Sequence, residues 1–224
     1  MASQPKTALV AGSTGLVGSC LLNRLLADPR YEKVIALARK PLAIIHPKLD
    51  VLAVTLDSLP QMAPTLKADD WFCALGTTIK LAGTQEAFRR VDYDYPLALG
   101  RQAAASGAKQ FLIVSAIGAS PASSIFYSRV KGEAERDLSS LSLPKLNLFR
   151  PSLLLGDRAE HRSGERLWGI LMKGLNPLLV GSLGKYKSIR GDAVAAAMIQ
   201  AANAPSELGV HVYEGKRLAD LGNV

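Results

Sequence analysis

A glycine-rich segment near the N-terminus has the residue types and spacing of a phosphate-binding loop, and it directly follows the apolar run 7–11. We expect Gly12 to permit a tight turn, Gly15 to let backbone N–H groups approach a pyrophosphate, and Gly18 to let a following helix pack closely on a sheet. The N-terminus of that helix offers unpaired donors and a partial positive charge to phosphates. The residues predicted to bind a cofactor here are Gly12, Ser13, Thr14, Gly15, Leu16, Val17 and Gly18.

The spacing of this loop is Gly-x-x-Gly-x-x-Gly, which fits the general dinucleotide fingerprint Gly-x-Gly-x-x-Gly only loosely. A turn with a purely structural role is the alternative interpretation. The position of the loop favours binding, because the segment follows the first predicted strand and opens the first predicted helix.

Two cations, Arg39 and Lys40, follow the second apolar run, 34–38. A dinucleotide with a free ribose 2′-hydroxyl usually meets Asp or Glu at this point, whereas a 2′-phosphate requires cations. An arginine can fork onto a phosphate and a lysine adds a point charge, while the hydroxyl of Ser13 is a further donor. This pattern favours NADP(H) over NAD(H), against the alternative of two solvated cations at a strand end.

Tyr127 and Lys131 are four residues apart in a helical pattern, so that both side chains project from one helix face. The spacing Tyr-x-x-x-Lys is common by chance, and an amphipathic surface pair is the alternative. Here the pair follows a fifth apolar run that ends at Ser115, in a chain that already carries the phosphate loop. The combination makes the pair a candidate for catalysis.

The elements that must position these residues alternate along the whole chain. The strands are covered on both faces, as their continuous apolar runs indicate, and a βαβ series favours a parallel sheet with right-handed crossovers. We predict an α/β fold, a Rossmann-type doubly wound parallel sheet of order 3-2-1-4-5-6 with helices on both faces and room for a further C-terminal strand. The predicted strands are 7–11, 34–38, 51–54, 71–75, 111–115 and 146–149, and the predicted helices are 16–27, 85–106 and 124–141.

The chain contains no linker or repeat, which predicts a single domain over 1–224. A small lobe on the substrate side would be built mainly from 152–188. Nothing in that segment specifies a substrate.

Seven segments, in order, resemble the short-chain dehydrogenase/reductase superfamily in its extended or atypical branch. The resemblance is closest to the oxidoreductase-like group of the Tat-interacting protein and its bacterial relatives, and it covers nearly the whole chain. The matching segments are GSTGLVG at 12–18, ALGTT at 74–78, VDYDYP at 91–96, VSAIGAS at 114–120, YSRVKGE at 127–133, FRPSLLLGDR at 149–158 and IRGDAVAAA at 189–197.

The resemblance implies a catalytic role for three residues. Tyr127 would act as the general acid in reduction of a carbonyl, or as the base in oxidation of an alcohol. A free tyrosine has a pKa of about 10, and the charge of Lys131 would favour the phenolate while its side chain also binds the nicotinamide ribose. Ser115 would hydrogen-bond the substrate oxygen while hydride passes between the substrate and C4 of the nicotinamide.

The resemblance also implies further contacts with the cofactor. Asp57 matches an acidic residue that family members place near the adenine. The segment 74–77 would line the adenine ribose and pyrophosphate, and the segment 150–152 would run past the carboxamide end of the nicotinamide. Each is equally consistent with residues that only end a helix or strand and do not contact a cofactor. The residues concerned are Asp57, Ala74, Leu75, Gly76, Thr77, Arg150, Pro151 and Ser152.

One departure from the family concerns the active hydroxyl. Many relatives have paired serines at the end of the fifth strand, but here Ser115 is followed by Ala116. The serines that would substitute for Ser115 are Ser120, Ser123 and Ser124.

Composition restricts the other classes of function. Lys and Arg exceed Asp and Glu by 27 to 19, but they are scattered without a dense run or a recognition motif, which disfavours a nucleic-acid partner. Two cysteines and three isolated histidines indicate neither a disulfide framework nor a metal site. The polar residues 1–6 and the short first apolar run lead us to expect a soluble, cytoplasmic protein without a membrane span.

The leading hypothesis is an NADP(H)-dependent oxidoreductase, a carbonyl reductase or alcohol dehydrogenase that acts on a small-molecule carbonyl or alcohol. The alternative is an NADPH-binding regulator or sensor that acts through a protein partner with weak or no catalysis. A pure sensor needs the phosphate loop but not the phenol, so the intact Tyr127 and Lys131 favour an enzyme. A homodimer is the commonest soluble assembly for such a chain.

Overall fold

The fold was analysed in a computed structural model, which describes residues 4–55, 57, 66–155 and 188–223. Helices separate the first strand from the second, the fourth from the fifth and the fifth from the sixth, as the apolar pattern predicts. The second, third and fourth strands follow one another with no α-helix between them among the described residues. The strands are β1 Lys6–Ala11, β2 Tyr31–Ala38, β3 Leu49–Ala53, β4 Asp70–Cys73, β5 Gln110–Val114, β6 Lys145–Arg150, β7 Leu154–Leu155, β8 Ile189–Arg190 and β9 Gly209–Glu214. The helices are α1 Leu16–Ala27, α2 Ile79–Ala82, α3 Gln85–Arg89, α4 Tyr95–Ala105, α5 Phe126–Ser139, α6 Gly191–Asn203 and α7 Gly215–Gly222.

Within the described residues, seven strands form one parallel sheet in the order β3-β2-β1-β4-β5-β6-β9. This order confirms the predicted Rossmann-type fold, and β9 is the additional C-terminal strand. The register pairs Leu9 with both Ile35 and Trp71, so β1 lies between β2 and β4 in the interior of the sheet. Strand order reverses between β1 and β4, and the crevice at such a reversal is where doubly wound sheets bind ligands.

Alternate residues of the central strands face two different apolar layers. Ala8 and Val10 pack with α1, α6 and α7, whereas Leu9 and Ala11 pack with α4 and α5. Both layers are buried, which explains why the strands have continuous apolar runs instead of an apolar–polar alternation.

The predicted helix 85–106 is confirmed from Gln85 to Ala105, although its hydrogen-bond pattern changes partway along. A five-residue π-helical turn, Arg90–Asp94, separates α3 from α4, and the Tyr95 N–H donates to the carbonyl of Arg90. Pro96 has no N–H and cannot complete an ordinary α-helical bond to the carbonyl of Asp92, which favours the wider turn here. The predicted helix 124–141 is also slightly shorter in the structure, where it forms α5.

At the amino ends of the strands, a buried carboxylate ties several elements together. Asp70 accepts hydrogen bonds from Lys6 Nζ at 2.6 Å, the Tyr31 hydroxyl at 2.7 Å and Gln110 Nε2 at 2.8 Å. Burial, followed by the Asp70 charge, raises the pKa of Tyr31 and keeps its phenol protonated. Buried polar groups with complete sets of partners stabilise one arrangement of strands. This cluster lies at the opposite end of the sheet from the crevice.

Three other expectations concern the substrate lobe, metals and membranes. Residues 156–187, most of the predicted lobe, lie outside the described residues, so the lobe and the single-domain assignment stay predictions. In the part of the chain that is described, no three His, Cys, Asp or Glu side chains are grouped so that they could hold a metal. Nor does any helix of that part have the length and apolar character needed to cross a membrane.

Candidate active site

The glycine loop between β1 and α1 is held against the end of β4. Gly12 has φ +86°, a left-handed conformation that disfavours side chains, and a Cβ there would lie 2.6 Å from the carbonyl oxygen of Ala74. A Cβ on Gly18 would lie 1.9 Å from the carbonyl oxygen of Gly12. The Gly15 N–H donates to that same carbonyl at 2.9 Å. Gly18 therefore lets helix α1 approach the turn itself, closer than any residue with a side chain would allow.

The start of α1 has the donors that an anion requires. Gly15 is the N-cap and makes no side-chain capping bond to the helix, so the first turn is open to an external acceptor. Ser13 is 4% exposed, and none of the residues that the structure describes forms a hydrogen bond with its hydroxyl. A buried polar atom without a partner is rare in native proteins, which indicates that a ligand completes this loop.

Arg39 and Lys40 lie immediately beyond the carboxyl end of β2 and are exposed. Neither cation forms an ion pair with another residue in the described ranges 4–55, 57, 66–155 and 188–223. Farther along this edge of the sheet, Asp57 accepts a hydrogen bond from the Tyr95 hydroxyl at 2.8 Å. Both cations are therefore available to an anionic group, whereas one Asp57 oxygen is already engaged by a tyrosine.

The segment after β4 runs beside the glycine loop and above a buried ion pair. The Ala74 N–H donates to the carbonyl of Ala11 at 2.9 Å, which continues the sheet by one bond beyond β4. The Thr77 N–H donates to Asp92 Oδ2 at 2.9 Å. A Cβ on Gly76 would lie 3.4 Å from Asp92 Oδ1 and 3.8 Å from Lys131 Nζ. The backbone of residues 74–77 therefore forms a wall of the crevice.

Lys131 is buried and charged. Its Nζ lies 2.8 Å from Asp92 Oδ1 and donates to the Val114 carbonyl at 3.5 Å. Burial by itself lowers the pKa of Lys131, but the charge of Asp92, the charge of Tyr127 when ionised and the hydrogen bond with Asp92 together outweigh burial. The pKa of Lys131 is therefore raised, and the ammonium persists. The thiol of Cys73 below it is neutral, because burial raises its pKa to about 12. Asp92 belongs to the segment 91–96 that carries the family resemblance, but its spacing shows no chemical signal of its own.

Tyr127 lies one turn before Lys131 on α5, as the spacing predicts. The tyrosine is half-buried, and its ring centroid lies 5.6 Å from that of Phe88. Within the described part of the chain, its hydroxyl has no hydrogen-bond partner. The phenol is therefore fixed by the packing of its ring while its oxygen stays available for proton exchange.

Ser115 is the buried serine at the end of β5, and its hydroxyl has no hydrogen-bond partner among the described residues. It is 5% exposed, and its N–H donates to the carbonyl of Phe149 at 2.6 Å. Of the alternatives, Ser120 Oγ accepts from the Ala122 N–H and Ser123 Oγ from the Ile125 N–H. Those two hydroxyls stabilise local turns, and Ser124 is exposed. Ser115 directly follows Val114, whose carbonyl contacts Lys131, so it lies beside the buried ammonium.

Gly132 is a site residue whose role the sequence analysis missed. A Cβ there would lie 2.1 Å from the carbonyl carbon of Ser120, so only glycine lets the segment after β5 contact α5 this closely. The Ser120 N–H donates to the carbonyl of Ser128 at 3.0 Å and fixes the contact. This approach carries the segment from Ser115 to Ser120 over the helix of Tyr127.

Arg150 is engaged by carboxylates instead of facing an open crevice. Its guanidinium forms a fork with Glu135, with Nη2–Oε2 at 2.5 Å and Nε–Oε1 at 3.0 Å, and it also reaches Glu214 at 3.5 Å. The interaction joins α5 to β6 and β9, so the guanidinium stabilises the helix that carries Tyr127 and Lys131. The neighbouring Pro151 carbonyl accepts from the Ile117 N–H at 2.9 Å, which places the segment 150–152 beside the segment after β5.

Comparison with known proteins identifies relatives of similar length. Protein HTATIP2 of Rattus norvegicus is 33% identical over 98% of this chain and 90% of its own length. Protein FMP52-1, mitochondrial, of Scheffersomyces stipitis is 32% identical over 96% of this chain and 98% of its own length. No protein-family model matches the chain.

Solved structures show the same fold at lower identity. The oxidoreductase ylbE from Lactococcus lactis superimposes with a TM-score of 0.68 at 21% identity, covering 97% of this chain and 95% of its own. MoeE5 in complex with UDP-glucuronic acid and NAD superimposes with a TM-score of 0.68 at 18% identity, covering 92% of this chain and 75% of its own. These likenesses agree with the sheet order and support the Rossmann-type architecture.

The relatives correct one expectation from the sequence. A cytoplasmic location is wrong on this comparison, because several FMP52 relatives are named mitochondrial. The polar N-terminus and the short apolar run exclude a hydrophobic signal core within those residues, but they do not distinguish between compartments.

Proposed function

This chain belongs to the family of Protein HTATIP2 and Protein FMP52, in the atypical branch of the short-chain dehydrogenases/reductases, and we propose that it is an NADP(H)-dependent oxidoreductase. It would pass hydride between the nicotinamide and a small-molecule carbonyl or alcohol. The observation that carries the proposal is that the candidate catalytic groups lie close to Lys131. Its ammonium contacts the end of β5 directly before the unpartnered hydroxyl of Ser115, and Tyr127 lies one helical turn away.

The residues present fit a dinucleotide. The unpartnered Ser13 hydroxyl, the uncapped start of α1 and the close backbone approach at Gly12 suit a pyrophosphate. Arg39 and Lys40 would bind a ribose 2′-phosphate, and Asp57 would face the adenine. The bound cofactor supplies hydride at C4 of the nicotinamide. Solved structures of the same fold, such as MoeE5, are described in complex with NAD, which supports a nicotinamide dinucleotide as the ligand class.

The chain's own residues would handle the proton and the substrate oxygen. Tyr127 would give its hydroxyl proton to a carbonyl oxygen during reduction, or accept a proton from an alcohol during oxidation. Lys131 would favour the phenolate through its charge and donate to the nicotinamide ribose, and Ser115 would donate to the same substrate oxygen.

An NADPH-consumption screen across aldehydes, ketones and quinones tests the proposal. Loss of the cofactor's absorbance should depend on both substrate and protein. The alternative is an NADPH-binding regulator acting through a protein partner, which would need the glycine loop but not the Tyr127 phenol. Tight NADPH binding without turnover of any substrate in the screen would favour that alternative and withdraw the enzyme assignment.

Cofactor preference is tested by reversing the charge of Arg39. The unmodified protein should bind NADPH at least about tenfold more tightly than NADH, because a bidentate arginine–phosphate pair is among the stronger charged hydrogen bonds. Arg39→Glu should remove most of that preference without loss of stability, since the side chain is exposed. Lys216→Glu is the matched control, an equal charge change at an exposed lysine on α7, next to the opposite edge strand β9. Equal affinities for NADPH and NADH in the unmodified protein would refute the preference.

Ser115→Ala tests which serine serves the substrate. We expect turnover to fall about fivefold while NADPH affinity is kept, because one neutral hydrogen bond contributes about 1 kcal/mol. Folding should be unharmed, since the hydroxyl has no partner to lose. Ser120→Ala is the control, and it should leave turnover unchanged. A larger loss in Ser120→Ala than in Ser115→Ala would reverse the assignment.

A further inference from the structure

Asp92 is buried in the π-helical turn and contacts two separate parts of the crevice. It is 1% exposed, and its two carboxylate oxygens have different partners. Oδ2 accepts the Thr77 N–H at 2.9 Å from the segment after β4, and Oδ1 lies 2.8 Å from Lys131 Nζ on α5. The carboxylate therefore connects the wall of the cofactor crevice to the helix of the acid-base pair.

The surroundings of the ammonium make Asp92 its charge partner. The titratable groups that face Lys131 are Asp92 from the π-helical turn, Tyr127 from its own helix and Cys73 from β4. The Cys73 thiol is neutral at physiological pH. Lys131 is only 5% exposed, and a buried lysine without a carboxylate partner loses its proton readily, in documented cases near neutral pH.

We propose that Asp92 is a positioning residue that holds Lys131 in place as an ammonium for the cofactor ribose and for Tyr127. The wider turn before Pro96 is the device that turns this carboxylate inward, and the Thr77 N–H fixes its orientation. The inference rests on the proposed function, because it assigns Lys131 a cofactor to serve. If Asp92 merely anchored the backbone of Thr77, its negative charge would be dispensable.

Asp92→Asn separates charge from shape, because the amide keeps an oxygen for the Thr77 N–H. In this variant, burial lowers the pKa of Lys131 below the value of about 10.4 that it has in the unfolded chain. Between those two values the unfolded chain binds more protons than the folded protein, so the variant gains stability as pH rises. Without cofactor, its Tm should lie about 8 °C below that of the unmodified protein near pH 7, and the deficit should shrink by at least half near pH 10.

Glu135→Gln is a matched control on helix α5. Glu135 is also buried, but its partner is Arg150, which stays protonated over this whole pH range. Its Tm deficit should therefore be nearly the same at neutral and at alkaline pH. A deficit in Asp92→Asn that is equally independent of pH would overturn the proposal.

The stability deficit of Asp92→Asn shrinks as pH rises, but its deficit in cofactor binding should grow. Lys131 loses its proton in the Asp92→Asn variant as pH rises. The NADPH Kd of the variant, divided by that of the unmodified protein at the same pH, should therefore rise about tenfold between about pH 6.5 and pH 9. Lys131→Met should weaken NADPH binding at every pH, and adding Asp92→Asn to it should cause no further loss, because the carboxylate acts through the lysine. A further loss in the double variant would contradict the proposal.

The two measurements also separate this inference from the proposed function. An unmodified protein that binds no NADPH would refute the proposed function and the role of Asp92 toward the cofactor. The dependence of Tm on pH would still decide whether Asp92 holds the ammonium. Normal NADPH binding by the unmodified protein together with an Asp92→Asn variant that behaves like it at every pH would overturn the positioning role alone.

Discussion

Replacing Tyr127 with Phe is expected to lower turnover by about 10²- to 10⁴-fold, the usual contribution of general acid-base catalysis. The aromatic ring that packs against Phe88 is retained, and the lost hydroxyl has no partner within the described part of the chain. Stability and NADPH affinity should therefore change little. The measurements are kcat on a substrate from the NADPH screen, NADPH binding by fluorescence, and Tm.

Tyr31→Phe is the matched control for this substitution. It removes a phenol hydroxyl at the opposite end of the sheet, where the hydroxyl donates to Asp70 at 2.7 Å. The expected cost is about 1 kcal/mol or more of folding stability, because a buried carboxylate loses a donor, with kcat unchanged. If Tyr127→Phe keeps full turnover on a true substrate, Tyr127 is not the proton donor and the mechanism is wrong.

Replacing Gly15 with Val is expected to weaken NADPH binding by at least about 100-fold in a folded protein. Gly15 is extended, with φ −78° and ψ 172°, a conformation that any residue adopts. A Cβ there would lie 3.3 Å from the carbonyl oxygen of Gly12 and 3.9 Å from that of Ala74, so small shifts accommodate it. The isopropyl group would stand at the N-cap of α1, where a pyrophosphate must approach the backbone donors.

Comparison with two other glycine substitutions makes the Gly15→Val result interpretable. Gly18→Ala places a Cβ 1.9 Å from the backbone oxygen of Gly12, so it should lose stability as well as cofactor. Gly15→Ala, with the smaller side chain, should lie between Gly15→Val and the unmodified protein in NADPH affinity. Titration by calorimetry together with Tm separates these cases. Unchanged affinity in a folded Gly15→Val protein would show that the cofactor does not bind at this loop.

Residues close together in the sequence made the architecture predictable. Continuous apolar runs such as 111–115 indicated strands covered on both faces, and the observed sheet has the predicted order around β1. The boundaries of α1 match the prediction, because Gly15 ends the loop and a regular apolar pattern follows. Tyr127 and Lys131 lie one turn apart because helical spacing is a local property.

Interactions between distant segments explain what the sequence analysis missed. The role of Gly132 depends on a contact with Ser120, and the guanidinium of Arg150 is engaged by Glu135 and Glu214. Neither contact has a periodic signal, since the partners come from separate elements. The expected contact of the segment 150–152 with the carboxamide stays a prediction. A charged residue at the end of a strand has the same local pattern whether it meets a ligand or another helix.

The sequence by itself determined the fold class, the position of the glycine loop and the placement of Tyr127 and Lys131 on one helix face, because these depend on apolar periodicity, glycine spacing and one helical turn. Only the tertiary structure decided the electrostatic state of the site. Lys131 is buried there and meets Asp92, a residue 39 positions earlier that reaches it through a π-helical turn. Burial and charge pairing arise when separate elements pack together, so the pattern of either element alone does not contain them.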